Sequence, residues 1–368
     1  MAGTANDLLK ATARSFYLTL RVLPGRVRAP IGLAYLLART ADTIADTEIV
    51  PAGQRLDALR RLRERILDRT AEPLNFAALA REQGSAAEKL LLERAEESVA
   101  ALQPLSVDDR QLVEKVLETI TSGQELDLRR FTEAGRADEE PVLAPRTGEA
   151  AAPVSDQAGS TGKAGNGPSR PGKVIALNTQ AELNDYTYRV AGCVGEFWTK
   201  LCRAHLFPGA GLDESQLIAD GVRFGQGLQL VNILRDLPAD LKNGRCYLPL
   251  EELKPAGLAP EELLAPEREG TFLRLFRAHL DQAEAHLEAG WRYTNTLPFG
   301  QFRVRLACAW PILLGLRTIT KLRAAKVADL QRRVKVSRHE VYAMMLRSTV
   351  ASPAPFLWRG LYAAALRR

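Results

Sequence analysis

Between residues 8 and 131 the large apolar residues recur every three or four positions, as in Leu56, Leu59, Leu62 and Ile66 or in Leu112, Val116 and Ile120. That period is one face of an α-helix, so the segment reads as a succession of amphipathic helices. From Glu182 onward the same period returns, broken by Pro/Gly clusters near 208–211, 249–260 and 298–300 that mark turns. No stretch sustains the alternation of period two that a half-buried strand requires. The most apolar run, Leu306 to Leu316, lies between Arg305 and Arg317. It is too short to cross a bilayer core about 30 Å thick and reads as a buried helix. The pattern predicts an all-α protein built as one large helical bundle.

Glu133 to Lys173 departs from this pattern, with seven glycines and five prolines against Val142, Leu143 and Val154 as its large apolar residues. Such a segment buries too little to offset its ordering entropy, so it reads as a flexible insertion (133–173) in a single domain spanning 1–368. A linker between two domains is the rival reading, but neither half shows a self-contained core pattern.

Composition narrows the class. With 368 residues, 46% hydrophobic and 26% charged, the chain is ordinary for a globular protein. Its 50 basic against 44 acidic residues leave +6, which fits an anionic substrate or a lipid headgroup at least as well as nucleic acid. No nucleic-acid partner is expected. Cys193, Cys202, Cys246 and Cys308 have neither zinc-site pairing nor the density of a secreted disulfide scaffold. Met1 to Lys10 lacks a basic segment followed by an apolar run, so a cytoplasmic location is expected. Pro355 to Arg368 mixes aromatics with bases and reads either as a peripheral membrane contact or as a packed final helix. His205, His279, His286 and His339 form no HExxH; His279 and His286 read as part of a solvated helix.

Two constellations carry candidate chemistry. In Arg39-Thr-Ala-Asp42-Thr-Ile-Ala-Asp46 the two carboxylates lie one helical turn apart, with Tyr35 and Arg39 continuing the stripe. Hard oxygen ligands at this spacing suit Mg²⁺, which completes its shell with water and substrate phosphate. Taken alone, such a pair equally describes a solvated face. The second runs from Gly225 through Gln229, Asn232, Arg235, Asp236 and Asp240 to Lys242 and Arg245. Asn232, Asp236 and Asp240 are spaced four and four, although Pro238 predicts a kink or an end to the helix there. Arg235, Lys242 and Arg245 offer donors for diphosphate oxygens, Arg in bidentate fashion. Two acid pairs more than 180 residues apart, each beside bases, suggest two helices facing across a cavity, with Mg²⁺ bridging carboxylates to a diphosphate.

At this point the motifs carry a resemblance. Arg14-Ser15-Phe16, the Asp42 motif, Tyr186-Thr-Tyr-Arg-Val190-Ala191-Gly-Cys-Val194-Gly195 and Asn232-Ile-Leu-Arg-Asp236 resemble, in this order, the squalene and phytoene synthase family, the bacterial squalene synthases most. The resemblance runs over residues 10–132 and 174–350. It implies an isoprenoid synthase bundle with a central cavity. It also implies Mg²⁺-dependent head-to-head joining of two farnesyl diphosphates to a cyclopropyl (presqualene) diphosphate, then reduction to squalene with NADPH. Asp42, Asp46, Asp236 and Asp240 would hold the metal. Arg14, Ser15, Phe16, Tyr35, Arg39, Gln229, Asn232, Arg235 and Arg245 would contact substrate, and Tyr186 would serve the first half-reaction. Val190, Ala191, Val194 and Phe197 have a helical spacing suited to an apolar channel, a role that the resemblance favours over ordinary core packing. Val334 to Arg338 is similar to a basic segment near the nicotinamide, giving Lys335 and Arg338 as cofactor contacts, although Ser337 stands where the family has an arginine. With no GxGxxG after a strand, that cofactor would bind outside a Rossmann unit. Alternatives are a non-reductive member making phytoene, dehydrosqualene or hydroxysqualene, and a non-catalytic membrane-associated subunit.

Overall fold

A computed structural model of the chain describes residues 8–10, 12, 16–136, 174–332 and 334–367. The first half comprises α1 (Phe16–Val22), α2 (Gly25–Asp46), α3 (Ala52–Ile66), three short helices, α4 (Ala77–Arg81), α5 (Ala86–Glu93) and α6 (Ala95–Ala100), and the long α7 (Val107–Arg136). The second half opens with β1 (Ile175–Ala176) and α8 (Gln180–Thr187), then a turn of π-helix (Tyr188–Gly192) leading into α9 (Cys193–Leu206). It continues through α10 (Glu214–Lys242), β2 (Arg245–Cys246), α11 (Leu250–Leu253), α12 (Glu269–Thr296) and α13 (Phe302–Ala324). The last three helices are α14 (Val327–Leu330), α15 (Arg338–Ala351) and α16 (Pro355–Ala365). The all-α expectation holds. Among the described residues the strands are one two-residue parallel ladder, Ile175 opposite Arg245 and Ala176 opposite Cys246.

The apolar stripes of the sequence close two large cores. In one, Leu23, Leu37, Ile44, Leu59 and Leu62 from α2 and α3 and the segment before them meet Val113 and Leu117 of α7. In the other, Leu230 and Leu234 of α10 meet Phe276 and Leu287 of α12 and Ile312 and Leu316 of α13. The run Leu306 to Leu316 is the middle of α13 and is mostly buried, as its apolar character requires.

Several expectations are corrected. α10 runs through Pro238 to Lys242, so Asp240 is in register with Asp236. The proline forfeits one ladder hydrogen bond, but Leu237 and Pro238 are buried and Leu241 packs on the core, which offsets that loss. His279 is not on a solvated face: it is buried, with Nε2 3.1 Å from Glu252 Oε2, and His286 is half-buried beside Arg223. α7 extends to Arg136 and so takes in the first four residues of the segment read as an insertion. The rest of that segment, 137–173, lies outside the described residues. The final helix packs: Trp358 stacks on Trp291 at 5.4 Å and donates Nε1–H to Asn295 Oδ1 at 2.8 Å. All four cysteines are buried and unpaired.

Candidate active site

Asp42 and Asp46 occupy the last two turns of α2, and Asp236 and Asp240 the last two turns of α10. The ends of these helices meet. Asn243, just past α10, donates to Glu48, just past α2, at 3.4 Å, and Arg245 Nη2 lies 2.9 Å from the same Glu48 Oε1. Both acid pairs therefore face one cleft, into which two helix C-termini also direct their uncompensated carbonyls. Partial negative charge from the helices adds to four carboxylates, a combination that favours cations.

The local geometry follows from the chain. Asp213 caps α10 by accepting from Gln216 N–H at 3.0 Å, and at the other end Gly244 adopts φ 73°, a left-handed turn that suits glycine. This turn sends Arg245 into the β1–β2 ladder and holds its guanidinium at the cleft. Thr179 caps α8 through Glu182 N–H and starts the helix that carries Tyr186.

Electrostatics mark the cleft. Burial, then repulsion from Asp46, pushes the Asp42 carboxyl up to about 7; Arg39 and a hydrogen bond from Gln124 Nε2 to Oδ1, 2.6 Å, oppose the rise. Burial, then Asp236, pushes Asp240 up to about 7 against the pull of Arg245, with Asp127 and Asp46 adding to the rise. Asp46 lies at the water-reached mouth, yet the surrounding protein still raises its carboxyl, with Arg245 and Arg39 opposing. Among the described residues no three carboxylate, histidine or thiol groups form a ready cage for an ion. The donor set nevertheless fits a hard divalent cation that draws one or two carboxylates from the protein and the rest of its shell from water and phosphate.

The cations around the acids are not equivalent. Arg39 pairs with Glu88 at 2.7 Å and stands 3.9 Å from Asp42. Arg235 Nε donates to Asp236 Oδ1 at 3.1 Å. Asn232 Nδ2 lies 3.5 Å from Gln229 Oε1, both half-buried one and two turns before Asp236. Tyr35 is half-buried against the α2–α7 core. Arg14 and Ser15 lie outside the described residues, as does the side chain of Phe16.

Tyr186 is buried and stacks on Tyr247, centroids 4.7 Å apart. Burial, then the charges of Asp127, Asp240 and Asp42, hold its phenol well above the ordinary range, so it stays protonated. Tyr247 donates its hydroxyl hydrogen to Asp127 Oδ2 at 2.9 Å, and burial pushes Asp127 up to about 6. Sequence reasoning missed Gln124 and Asp127, two acid-site contacts on one face of α7, and gave Tyr247 no role. The available signal was their three-residue spacing beside Ile120 and Phe131.

Two cavities lie along α10, one lined by Leu228 and the other by Arg235. The first, about 230 Å³, is walled mostly by apolar side chains and includes Val190, Ala191 and Val194 as expected, with Phe224, Leu228 and Pro311. Phe197 is not in its wall. That ring is buried instead in the core shared by α2 and α7. The π-turn brings the backbone at Ala191 so close to α10 that a Cβ on Gly225 would collide with the Ala191 carbonyl oxygen. Leu228 precedes Asp236 by eight residues, about 12 Å along a helix, so an apolar chain in this cavity can carry its head into the acid cleft. The second cavity, about 640 Å³, has a mixed wall that brings Arg235, Lys335 and Arg338 together with apolar side chains such as Leu18 and Val341 and with Tyr342. Ser337 caps α15, accepting from Glu340 N–H at 3.3 Å, and the arginine one place later faces this cavity. Thr19 and Leu18, consecutive on α1, line the first and second cavity respectively.

Comparison with known proteins identifies the family. The family model described as squalene/phytoene synthase matches residues 9–340. A phytoene synthase of Thermus thermophilus is 32% identical over 182 residues, 49% of this chain and 58% of that protein. A bifunctional lycopene cyclase/phytoene synthase of Neurospora crassa is 28% identical, covering 76% of this chain and 41% of its own length. The chain thus spans about half the length of these curated relatives. A solved complex of TcSQS with the ligand E5700 has TM-score 0.72 at 19% identity, covering 99% of this chain and 91% of that one, a likeness of fold. The order of the motifs, the acid pairs on facing helices and the match over residues 9–340 together place the chain in the squalene/phytoene synthase family of isoprenoid synthases.

Proposed function

We propose that this protein joins two farnesyl diphosphates head to head, with Mg²⁺, to a cyclopropyl diphosphate and reduces it with NADPH to squalene. The observation that carries the reading is the pair of carboxylate-bearing helix ends, raised in pKa by burial and mutual repulsion, beside an apolar cavity. Asp42, Asp46, Asp236 and Asp240 would hold Mg²⁺, which supplies charge neutralisation for a departing diphosphate. Arg39, Arg235 and Arg245 orient the diphosphate oxygens, and Asn232 and Gln229 lie on the approach to them. Tyr186 keeps its proton, so it meets the allylic cation as a neutral phenol, through its oxygen lone pairs and ring face, rather than as a phenolate that would be alkylated. Val190, Val194 and Leu228 keep water from the cation.

The second cavity supports the reductive half. It brings Arg235 of the acid cleft beside Lys335 and Arg338, a cationic wall suited to the phosphates of a nicotinamide cofactor, which supplies hydride. The non-reductive reading has its own support in the phytoene synthase names of the curated relatives. Incubation with farnesyl diphosphate, and separately with the C20 geranylgeranyl diphosphate, with Mg²⁺ and with or without NADPH, followed by product mass analysis, tests both. Squalene only with NADPH is the expected result. A C30 or C40 product indifferent to NADPH moves the protein to the non-reductive branch, and no turnover of any prenyl diphosphate overturns the enzymatic reading.

A further inference from the structure

A buried file of three oxygen groups leads out of the acid cleft. Tyr186 on α8, Tyr247 directly after β2 and Asp127 on α7 are 9%, 6% and 7% exposed. Tyr247 donates to Asp127 Oδ2 at 2.9 Å, which leaves its own oxygen free to accept, and the Tyr186 hydroxyl lies within hydrogen-bonding reach of it. The Tyr186 proton is thus directed at Tyr247, and its oxygen lone pairs remain for the cleft, where Asp42 of α2 and Asp240 of α10 both act on it. The far end of the file is unfinished. Asp127 Oδ1 is buried and has no hydrogen-bond partner among the described residues, a costly state for a charged carboxylate that an arriving proton relieves. Burial accordingly pushes Asp127 up to about 6, against the hydrogen bond from Tyr247 and the charges of Arg245 and Arg130, with Asp46 adding to the rise. Asp127 is therefore ionised at neutral pH, yet it binds a proton more readily than a carboxylate in water. The scaffold keeps the file in line. The β1–β2 ladder fixes the backbone up to Cys246, and Phe131, one turn beyond Asp127, packs edge-on against the Tyr247 ring at 5.3 Å.

We propose that Tyr247 and Asp127 carry away the proton that the coupling of two prenyl diphosphates releases. The proposal rests on the coupling chemistry proposed above and is independent of the reductive half. When the C1–O bond of one farnesyl diphosphate breaks and diphosphate departs, C1 bonds to the double bond of the other and leaves a cation at the far alkene carbon. A C–H bond at that C1 then breaks, and its electron pair closes the cyclopropane onto the cationic carbon. The proton goes to the Tyr186 oxygen as the Tyr186 proton moves to Tyr247 and the Tyr247 proton to Asp127 Oδ2. One C–H bond is exchanged for one carboxylic O–H bond, and both phenols end neutral. The carboxylates of the two acid pairs are committed to the metal and the diphosphate, whereas Asp127 stands apart from them behind two aromatic rings. Tyr247 and Asp127 act through Tyr186 and touch no reacting atom, so they are positioning residues whose effect falls on the deprotonation alone.

Cyclopropyl diphosphate formation without NADPH, followed in the full chain with ordinary farnesyl diphosphate and with substrate deuterated at C1, tests it. The near-isosteric variants Asp127→Asn and Tyr247→Phe should each lower kcat by about 100-fold or more, with KM for farnesyl diphosphate near wild type. Circular dichroism and the Mg²⁺-induced rise in thermal midpoint should match the wild type, since neither residue holds the cation. A primary isotope effect larger than that of the wild type should emerge in both variants, because slowed deprotonation then limits the rate; a residue that merely supports the fold would not produce it. Near-wild-type kcat in both variants overturns the proposal, and so does a loss of kcat in both with the wild-type isotope effect. A wild-type protein that turns over no prenyl diphosphate overturns the coupling reading itself and the proton path with it, whereas normal wild-type coupling with either of the first two results overturns the path alone.

Discussion

Asp42 accepts from Gln124 and faces Asp46 one turn on, so its charge is held in place yet opposed. Stability and function then pull in opposite directions at this residue. Asp42→Asn keeps an acceptor for Gln124 and removes the repelled charge. With 37% of the side chain reached by water, the relief is discounted to on the order of 1 kcal/mol, which raises the metal-free melting midpoint at pH 8 by roughly 1–2 °C. The same variant should abolish product formation while the helical spectrum is unchanged; near-normal Mg²⁺-dependent turnover would sink the site assignment. The pH dependence has a defined sign. Folded Asp42 and Asp240 sit near 7 against an ordinary 3.8, so their protonation favours the fold at low pH, and this support is lost as pH rises through about 7. The metal-free midpoint should therefore fall between pH 5.5 and pH 8, and Mg²⁺ should restore more of it at pH 8, where both carboxylates are charged. Scanning calorimetry with and without Mg²⁺ reads this directly; equal Mg²⁺ effects at both pH values would place the cation elsewhere.

Helix α15 shows how an element is fixed by a few polar contacts. Its capping residue Ser337 and its third residue Glu340 satisfy each other's backbone N–H groups, and Glu340 also meets Lys321 at 2.7 Å and Arg317 at 3.0 Å on α13. Lys321 foremost, with Ser337 and Arg317, depresses the Glu340 carboxyl to about 2 from its ordinary 4.5. Its contribution is complete above about 4.5 and is lost as pH falls toward 2, so amide exchange in α15 should accelerate over that window ahead of α12. Glu340→Gln should show the faster exchange already at pH 6; unchanged protection would mean that apolar packing alone holds the helix. The acid spacings of α2 and α10 were legible in the sequence because they lie within one helical repeat, whereas Ser337 reads there only as a departure from an expected arginine and not as the cap it is. Asp127 was not legible: its partner Tyr247 is 120 residues away, and the string Gln124-Glu125-Leu126-Asp127 reads locally as a solvated face. Pro238 misled for the same reason, since the packing that carries α10 past it comes from the folded core and not from neighbouring residues.

On the scale of the whole molecule, α1, α10 and α13 each run along both cavities. Leu18 and Thr19 on α1, Leu228 and Arg235 on α10, and Pro311 and Leu314 on α13 divide between the apolar cavity and the cationic one. Seven residues of α10 separate the two walls, about 10 Å, with Asn232 between them. On the proposed function, a prenyl intermediate made at the acid cleft would have only a short shift along α10 to the second cavity, with its diphosphate still near Arg235. If the proposed reductive half occurs there, removing a cation from that wall should separate the two halves of the reaction. Lys335 is exposed, lines only the second cavity, and its side chain makes no ion pair among the described residues, so Lys335→Ala leaves the cleft untouched. Loss of one charge-assisted contact, about 1.5–3 kcal/mol, should raise the NADPH KM roughly 10- to 100-fold. At limiting NADPH the cyclopropyl diphosphate should accumulate or drain to a hydroxylated or dehydro product, with farnesyl diphosphate consumption near wild type, and saturating NADPH should restore most of the squalene. Equal loss of both half-reactions would make Lys335 structural, and unchanged NADPH dependence would remove the second cavity from the reductive step.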